Sequence, residues 1–238
     1  MIVGAEVGAR RPAERRGAHA RVRRAPVQER SRRTVSRILQ AAEEIVGESG
    51  VDAASTRAIA ARAKVTPPSL YRFFADRNEI LDALLEAIVD ELDGRAEEAE
   101  RGFTGTSVED FVRMEMALHV AYYEQHPSVV ALWFGGRVSP AIVKLVRERN
   151  RTLARRAKRI LCEAALVDAA TPDVVFELLV EYGDRTLDLA FRGRRRADAE
   201  VVETGVAALT AFAERWRAPG GGRRAAAGAT AENTERSE

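Results

Sequence analysis

The sequence predicts an all-α fold, with a small N-terminal helix-turn-helix domain followed by a larger helical domain. Three observations predict it. Apolar residues recur at steps of three and four through most of the chain, and no stretch alternates strictly as a half-buried strand would. Glycine and proline fall between these periodic segments, and hydroxyl-then-proline pairs at 66–67, 139–140 and 171–172 mark helix starts. Residues 55–74 read as two short helices joined by a tight turn, the layout whose second helix lies in a DNA major groove.

Composition is that of an ordinary globular chain, 46% hydrophobic and 31% charged over 238 residues. No apolar run approaches the roughly 20 residues needed to span a bilayer. The arginine-rich N-terminus lacks an apolar segment of the secretory kind. The single cysteine, Cys162, rules out an intramolecular disulfide and suits a reducing compartment, so a cytoplasmic protein is expected.

The formal charge of +2 conceals an asymmetry. Residues 1–33 hold ten arginines against three glutamates, which leaves the remaining residues net acidic. With few large apolar side chains this segment is expected to be a disordered arm, either a passive leader or a basic strap on DNA phosphates. A first helix follows from about Thr34 to Glu48, with Val35, Ile38, Leu39, Ala42, Ile45 and Val46 inward and Gly50 ending it.

Ser55 or Thr56 caps the next helix, in which Ile59, Ala60 and Ala63 form a narrow apolar stripe. Lys64-Val65 is the turn. Thr66-Pro67 opens the recognition helix, with Leu70 and Phe74 inward and Ser69, Tyr71, Arg72 and Phe73 outward. Asp76 and Glu79 form a capping pair for a long helix lined by Ile80, Leu81, Leu84, Leu85, Ile88, Val89 and Leu92. That helix leaves the first domain and enters the second, which makes it the mechanical connector.

Beyond residue 102 the boundaries come from caps. Ser107 and Asp110 open a helix to about Gln125, and Pro127 starts a short one ending at Gly135-Gly136. Ser139-Pro140 opens a long helix to about Ala165, and Thr171-Pro172 opens one to about Phe191. The last helix spans Ala197 to Trp216, with Gly205 permitting close approach, before a disordered tail at 218–238. The expected division is therefore an arm (1–33), a helix-turn-helix DNA-binding domain (34–80), a second helical domain (81–217) and the tail.

Residues 37–50 and 56–81 resemble the TetR family of transcriptional regulators. The family pattern is matched by Thr56, Ile59, Ala60, Ala63, Val65, Thr66, Leu70, Tyr71, Phe74, Arg77 and Ile80 at fixed spacing. Lys64 stands where the family usually has glycine, and Phe73 where many members have His or Tyr. The resemblance implies a DNA-binding regulator, most often a repressor, on a palindromic double-stranded operator. It implies phosphate contacts from Thr66, Tyr71 and Arg77, base reading by Arg57 and Ser69, and a DNA-facing surface that includes Pro67, Thr56 and Arg33. It also implies pairing of the two C-terminal helices with their copies in a homodimer. That agrees with the apolar residues on more than one face of the helix before the last.

The second domain is rich in aromatic and polarizable side chains, and the resemblance implies a pocket for a small apolar or aromatic effector. The candidates are Phe111, Met116, His119, Tyr123, Trp133, Arg137, Phe176 and Tyr182. The competing reading of His119 is a satisfied core histidine. The basic run Arg147–Arg159 reads as a solvated helix face. No glycine-rich phosphate loop follows a strand, and the histidines lack partners at metal-ligand spacing, so neither an enzyme, a cofactor nor a metal is expected. The alternative function is a protein that coats nucleic acid through its arginine arm without sequence preference.

Overall fold

The structure, a computed structural model, describes residues 24–134 and 139–219. Most of the arginine arm (1–23), the tail from 220 onward and Arg137 lie outside the described residues. Among the described residues the chain is helical throughout: α1 (Arg24–Ser49), a single 3-10 turn (Val51–Ala53), α2 (Thr56–Arg62), α3 (Pro67–Tyr71), α4 (Arg77–Arg101), α5 (Val108–Gln125), α6 (Pro127–Trp133), α7 (Pro140–Glu163), α8 (Asp173–Phe191) and α9 (Ala199–Glu214). Among the described residues the one extended pairing is an isolated bridge between Val167 and Arg217.

The first helix starts earlier than its apolar pattern. It begins at Arg24 rather than Thr34, so residues 24–33, expected to be part of a disordered arm, are helical. Extending a nucleated helix adds one hydrogen bond per residue fixed, and Arg, Gln and Glu are good helix formers. Arg33 pairs with Glu29 one turn back at 2.5 Å, which supports the extension from the solvent side. Apolar periodicity therefore marks where α1 meets the core.

The caps explain most other boundaries. Ser107 accepts from the Asp110 amide and Asp110 from that of Ser107, a reciprocal capping box. Ser139 accepts from the Ile142 amide at 3.3 Å, ahead of Pro140. Thr171 departs from this pattern. The N-cap of α8 is Pro172, one residue later than the hydroxyl-then-proline reading gives, and the buried Thr171 hydroxyl has no partner. Its backbone is committed instead to the Asp168 turn, its N–H donating to the Asp168 carbonyl at 3.0 Å.

Ile38, Ala42 and Ile45 of α1 pack with Ile59, Ala60, Leu70, Phe74 and Ile80 to form the core of the N-terminal unit. α4 runs out of that core and into the next, burying Leu84, Leu85, Ile88, Val89, Leu92 and Ala96 along its length. It packs on α5, α6 and α7, while α8 packs between α7 and α9. Gly205 of α9 faces Thr186 of α8, and a Cβ there would come within 2.2 Å of the Thr186 methyl, so glycine sets this close approach.

The basic run of α7 departs from the solvated face expected of it. Arg147, Arg151, Arg155 and Arg159 are exposed, but Arg149 is buried and Arg156 nearly so. These two stand seven apart, two helical turns, on the face that also carries Leu153 and Ile160 inward. Both meet α4. Arg149 Nε lies 2.9 Å from Asp93, and Arg156 Nε lies 2.8 Å from Glu100, an ion pair without a linear hydrogen bond.

Candidate functional site

The helix-turn-helix is built from local rules. Ser55 accepts from the Ala58 amide to cap α2, and Thr66 accepts from the Ser69 amide to cap α3 ahead of Pro67. Between them Lys64 takes the left-handed conformation at φ 53°, where the pattern has glycine. The Val65 amide donates to Ala60 at 3.0 Å and the Lys64 amide to Ala61 at 3.2 Å, the paired bonds of a Schellman ending. Arg37 of α1 donates to the carbonyls of Ala63 and Lys64, which clamps the turn from behind and offsets the strain of a non-glycine residue.

This geometry presents one outer face. Tyr71 is 53% exposed, and its hydroxyl lies 3.2 Å from that of Thr56, so α2 and α3 share a hydroxyl pair at their outer edge. Arg57, Thr66 and Pro67 are exposed, and Ser69 and Thr56 half-buried. Arg33 stands apart on α1, exposed and paired with Glu29. Arg77 does not point away from the protein. Its Nε donates to Ala54 O at 2.9 Å and its Nη2 to Val51 O, so it satisfies the carbonyls of the 3-10 turn. Arg72 sits beside Tyr71 with its guanidinium 4.7 Å over the Phe73 ring, an exposed cation next to the expected phosphate contacts.

The second feature is a cavity of about 80 Å³ between α5, α7, α8 and α9, room for a small organic group or several waters. Its walls are mostly apolar, Phe111, Met116 and Leu153 among them, with three polar groups: Glu115, His119 and Asp184. Both Glu115 carboxyl oxygens are buried without a hydrogen-bond partner. Burial, helped by the nearby Glu100 charge, pushes the Glu115 pKa up to about 8. Burial likewise raises that of Asp184, although its Oδ2 accepts from Asn150 at 2.8 Å. Burial and the Arg149 charge lower His119 to about 4, so the ring is neutral at pH 7. Its Nδ1 lies 2.8 Å from the Glu115 carbonyl and its Nε2 lies 3.2 Å from Arg149 Nη2. Those distances fit Nδ1 as donor and Nε2 as acceptor.

Comparison with known proteins decides what this architecture is. Residues 38–84, the last part of α1 through the first two turns of α4, match the family model described as bacterial regulatory proteins, tetR family. A TetR-family transcriptional regulator from Streptomyces coelicolor, known from its crystal structure, superposes with a TM-score of 0.60 at 27% identity, over 77% of this chain and 99% of that one. The chain's N-terminal unit is that of the tetR family of regulators. The HTH-type transcriptional regulator UidR of Escherichia coli K12 is 26% identical over 143 residues, which is 59% of this chain and 71% of UidR. The fatty acid degradation regulator FadR from Bacillus halodurans shares the fold, with a TM-score of 0.61 at 15% identity.

Of the eight residues expected to line a pocket, Arg137 lies outside the described residues and the other seven are divided. Phe111, Met116 and His119 line the cavity. Tyr123 and Phe176 are fully buried packing residues, Tyr123 with its hydroxyl unpartnered and its ring against Phe134 and Phe191. Trp133 is half-buried at the end of α6, its ring 5.7 Å from the Arg149 guanidinium. Tyr182 is a correction. It is exposed on the outer side of α8, stacked edge-on against Phe212 of α9, because α8 is apolar on two faces and only one turns inward. Sequence reasoning missed Glu115, Asp184 and Arg149. The signal for Glu115 was its position one turn from Phe111 and His119, and for Arg149 its position one turn from Leu153.

Proposed function

We propose that this protein is a homodimeric TetR-family repressor that leaves a palindromic operator when a small apolar or aromatic ligand enters the cavity. One observation carries the reading: a continuous set of contacts joins the cavity to the connector helix. His119 lines the cavity and touches Arg149 of α7, Arg149 donates to Asp93 of α4, and α4 continues into the core of the helix-turn-helix unit at Ile80 and Leu81. A shift of His119 or α5 is therefore felt by the helix that carries the DNA-binding unit.

The two recognition helices of a dimer must lie one turn of DNA apart, about 34–36 Å, to enter successive major grooves. A ligand changes that spacing only by binding the other arrangement more tightly. The homodimer reading is supported by the outer face of α8, where Val174, Leu178, Tyr182 and Leu189 are exposed beside α9. The working division is a DNA-binding unit over 34–80 and a ligand-binding and dimerisation unit over 81–217. Thr66 and Tyr71 are its phosphate contacts, and Arg57 and Ser69 its base readers.

Selection of bound DNA from a random pool tests the first half: a palindromic motif with half-sites one turn apart is the expected result. Recovery of no motif, with affinity set by salt alone, would instead favour nonspecific binding through the arginine arm. The second half is tested by reciprocity. A releasing compound must bind less tightly in the presence of operator, by the factor with which it weakens operator binding.

A further inference from the structure

The lining of the cavity carries information on the charge of what enters it. Its three polar groups are two acids and a neutral histidine. The cations nearby are already in ion pairs, Arg149 with Asp93 at 2.9 Å and Arg156 with Glu100 at 2.8 Å and Glu97 at 3.2 Å; Arg149 also meets His119, while Arg156 Nη2 has no hydrogen-bond partner. Asp184 is held by Asn150. Glu115 alone of these has neither carboxyl oxygen hydrogen-bonded, and His119 Nδ1, 3.9 Å from one of them, is committed to the Glu115 backbone carbonyl. A buried carboxyl without partners lacks the hydrogen bonds that would offset its desolvation. A cavity required only to accept an apolar body would be better lined by Leu or Met at that position.

We infer that the cavity takes a small organic cation, an apolar ring or short alkyl body bearing one protonated amine, whose N–H groups donate to Glu115 and Asp184. The inference rests on the proposed ligand-responsive reading and deepens it. An anionic ligand would meet two acids with no cation among the described lining residues, and a hydrocarbon without a polar group would leave Glu115 unpaired. Glu115 is protonated at pH 7 before the ligand arrives. As the ammonium enters, the Glu115 O–H proton leaves to buffer and the ammonium N–H donates to the carboxylate. Binding releases one proton and creates one ion pair, and the ammonium keeps its charge. The same pairing pulls the Glu115 side chain, one turn before His119 on α5, towards the cavity.

The test uses the full chain and three probes that share a ring and differ in charge: benzylamine, benzyl alcohol and benzoate, titrated calorimetrically at pH 7. The ammonium should bind at least about tenfold more tightly than the alcohol, and benzoate more weakly than either. Its apparent enthalpy should vary with buffer ionisation enthalpy as release of up to one proton requires. Glu115→Gln should abolish both the preference and the proton release, and Asp184→Asn should reduce the preference, with helicity checked by circular dichroism. Absence of benzylamine binding, tighter binding of the alcohol or benzoate, or an unchanged preference in folded Glu115→Gln would overturn the inference. Operator affinity separates the two readings. Glu115-dependent benzylamine binding that leaves operator affinity unaltered upholds the ligand class and rejects release. Release by a ligand indifferent to Glu115 upholds release and rejects the cation.

Discussion

Glu43 of α1 and His126 at the α5–α6 junction meet at 2.9 Å, and the Ser128 hydroxyl lies 3.4 Å from the same carboxylate oxygen. The His126 ring is also stacked on Tyr122 at 4.4 Å, and Tyr122 donates to Glu91 of α4 at 3.3 Å. The cluster ties α1 to α4 and to the α5–α6 junction through residues that do not line the cavity. His126→Ala should cost about 1 kcal/mol of stability, as one lost partly buried hydrogen bond does. It should also weaken the coupling between ligand and operator several-fold. Both are read from denaturation curves and from operator titrations with and without ligand. Full coupling in a folded His126→Ala protein would leave the Glu43 contact a packing detail.

On DNA, phosphate and base contacts should fail differently. Tyr71→Phe removes the hydroxyl proposed to meet phosphate, which is also the partner of the Thr56 hydroxyl, so it should weaken binding to all operator variants alike. Arg57→Ala should cost about 1–3 kcal/mol at particular base pairs and relax preference there. Competition binding against single-position operator variants checks both.

Arg77 should behave as a structural residue first. Its guanidinium donates to the carbonyls of Val51 and Ala54, so Arg77→Ala leaves the Ala54 carbonyl unpaired and Val51 with only the Ala54 amide, and should lower stability by about 1–3 kcal/mol. Urea denaturation decides. A variant as stable as wild type, yet unable to bind operator, would return Arg77 to the phosphate role.

Stability should depend on pH through the cavity. The Glu115 pKa rises from 4.5 to about 8 on folding, so its contribution is fully present below pH 4.5 and is lost as pH rises through 8. His119 falls from 6.5 to about 4, so its contribution is present above pH 6.5 and is lost as pH drops through 4. Glu115→Gln should therefore flatten the alkaline side of the profile and leave the acidic side unchanged. It should stabilise the protein at pH 9 relative to wild type by on the order of a few kcal/mol. Thermal melts across pH 4–9 provide the measurement.

The outer face of α8 should carry the dimer. Leu178 is 37% and Tyr182 47% exposed, one turn apart, in a stripe that also holds Val174. Leu178→Arg should raise the dimer dissociation constant about 30-fold or more, the effect of losing an interface anchor worth about 2 kcal/mol, without altering helicity. Sedimentation velocity at micromolar concentration should show it.

The sequence by itself determined the features whose causes are local. The turn at Lys64-Val65, the caps at Ser55, Thr66, Asp76, Ser107 and Ser139, and the prolines after Thr66 and Ser139 act within one helical turn of the residues that encode them. The helix-turn-helix and the starts of α3, α4, α5 and α7 were therefore legible. Whether an apolar or charged residue faces core, cavity or solvent depends on which neighbour packs there, and that is not a local property. α8 is apolar on two sides, and only its packing between α7 and α9 turned Phe176 inward and Tyr182 outward. Arg149 and Arg156 read as surface charge until α4 brought Asp93 and Glu100 against them. Arg77 found carbonyls twenty-three and twenty-six residues back in the chain. Glu115 became a cavity-facing group only because four helices leave a gap around it, since burial and the absence of partners arise only in tertiary structure.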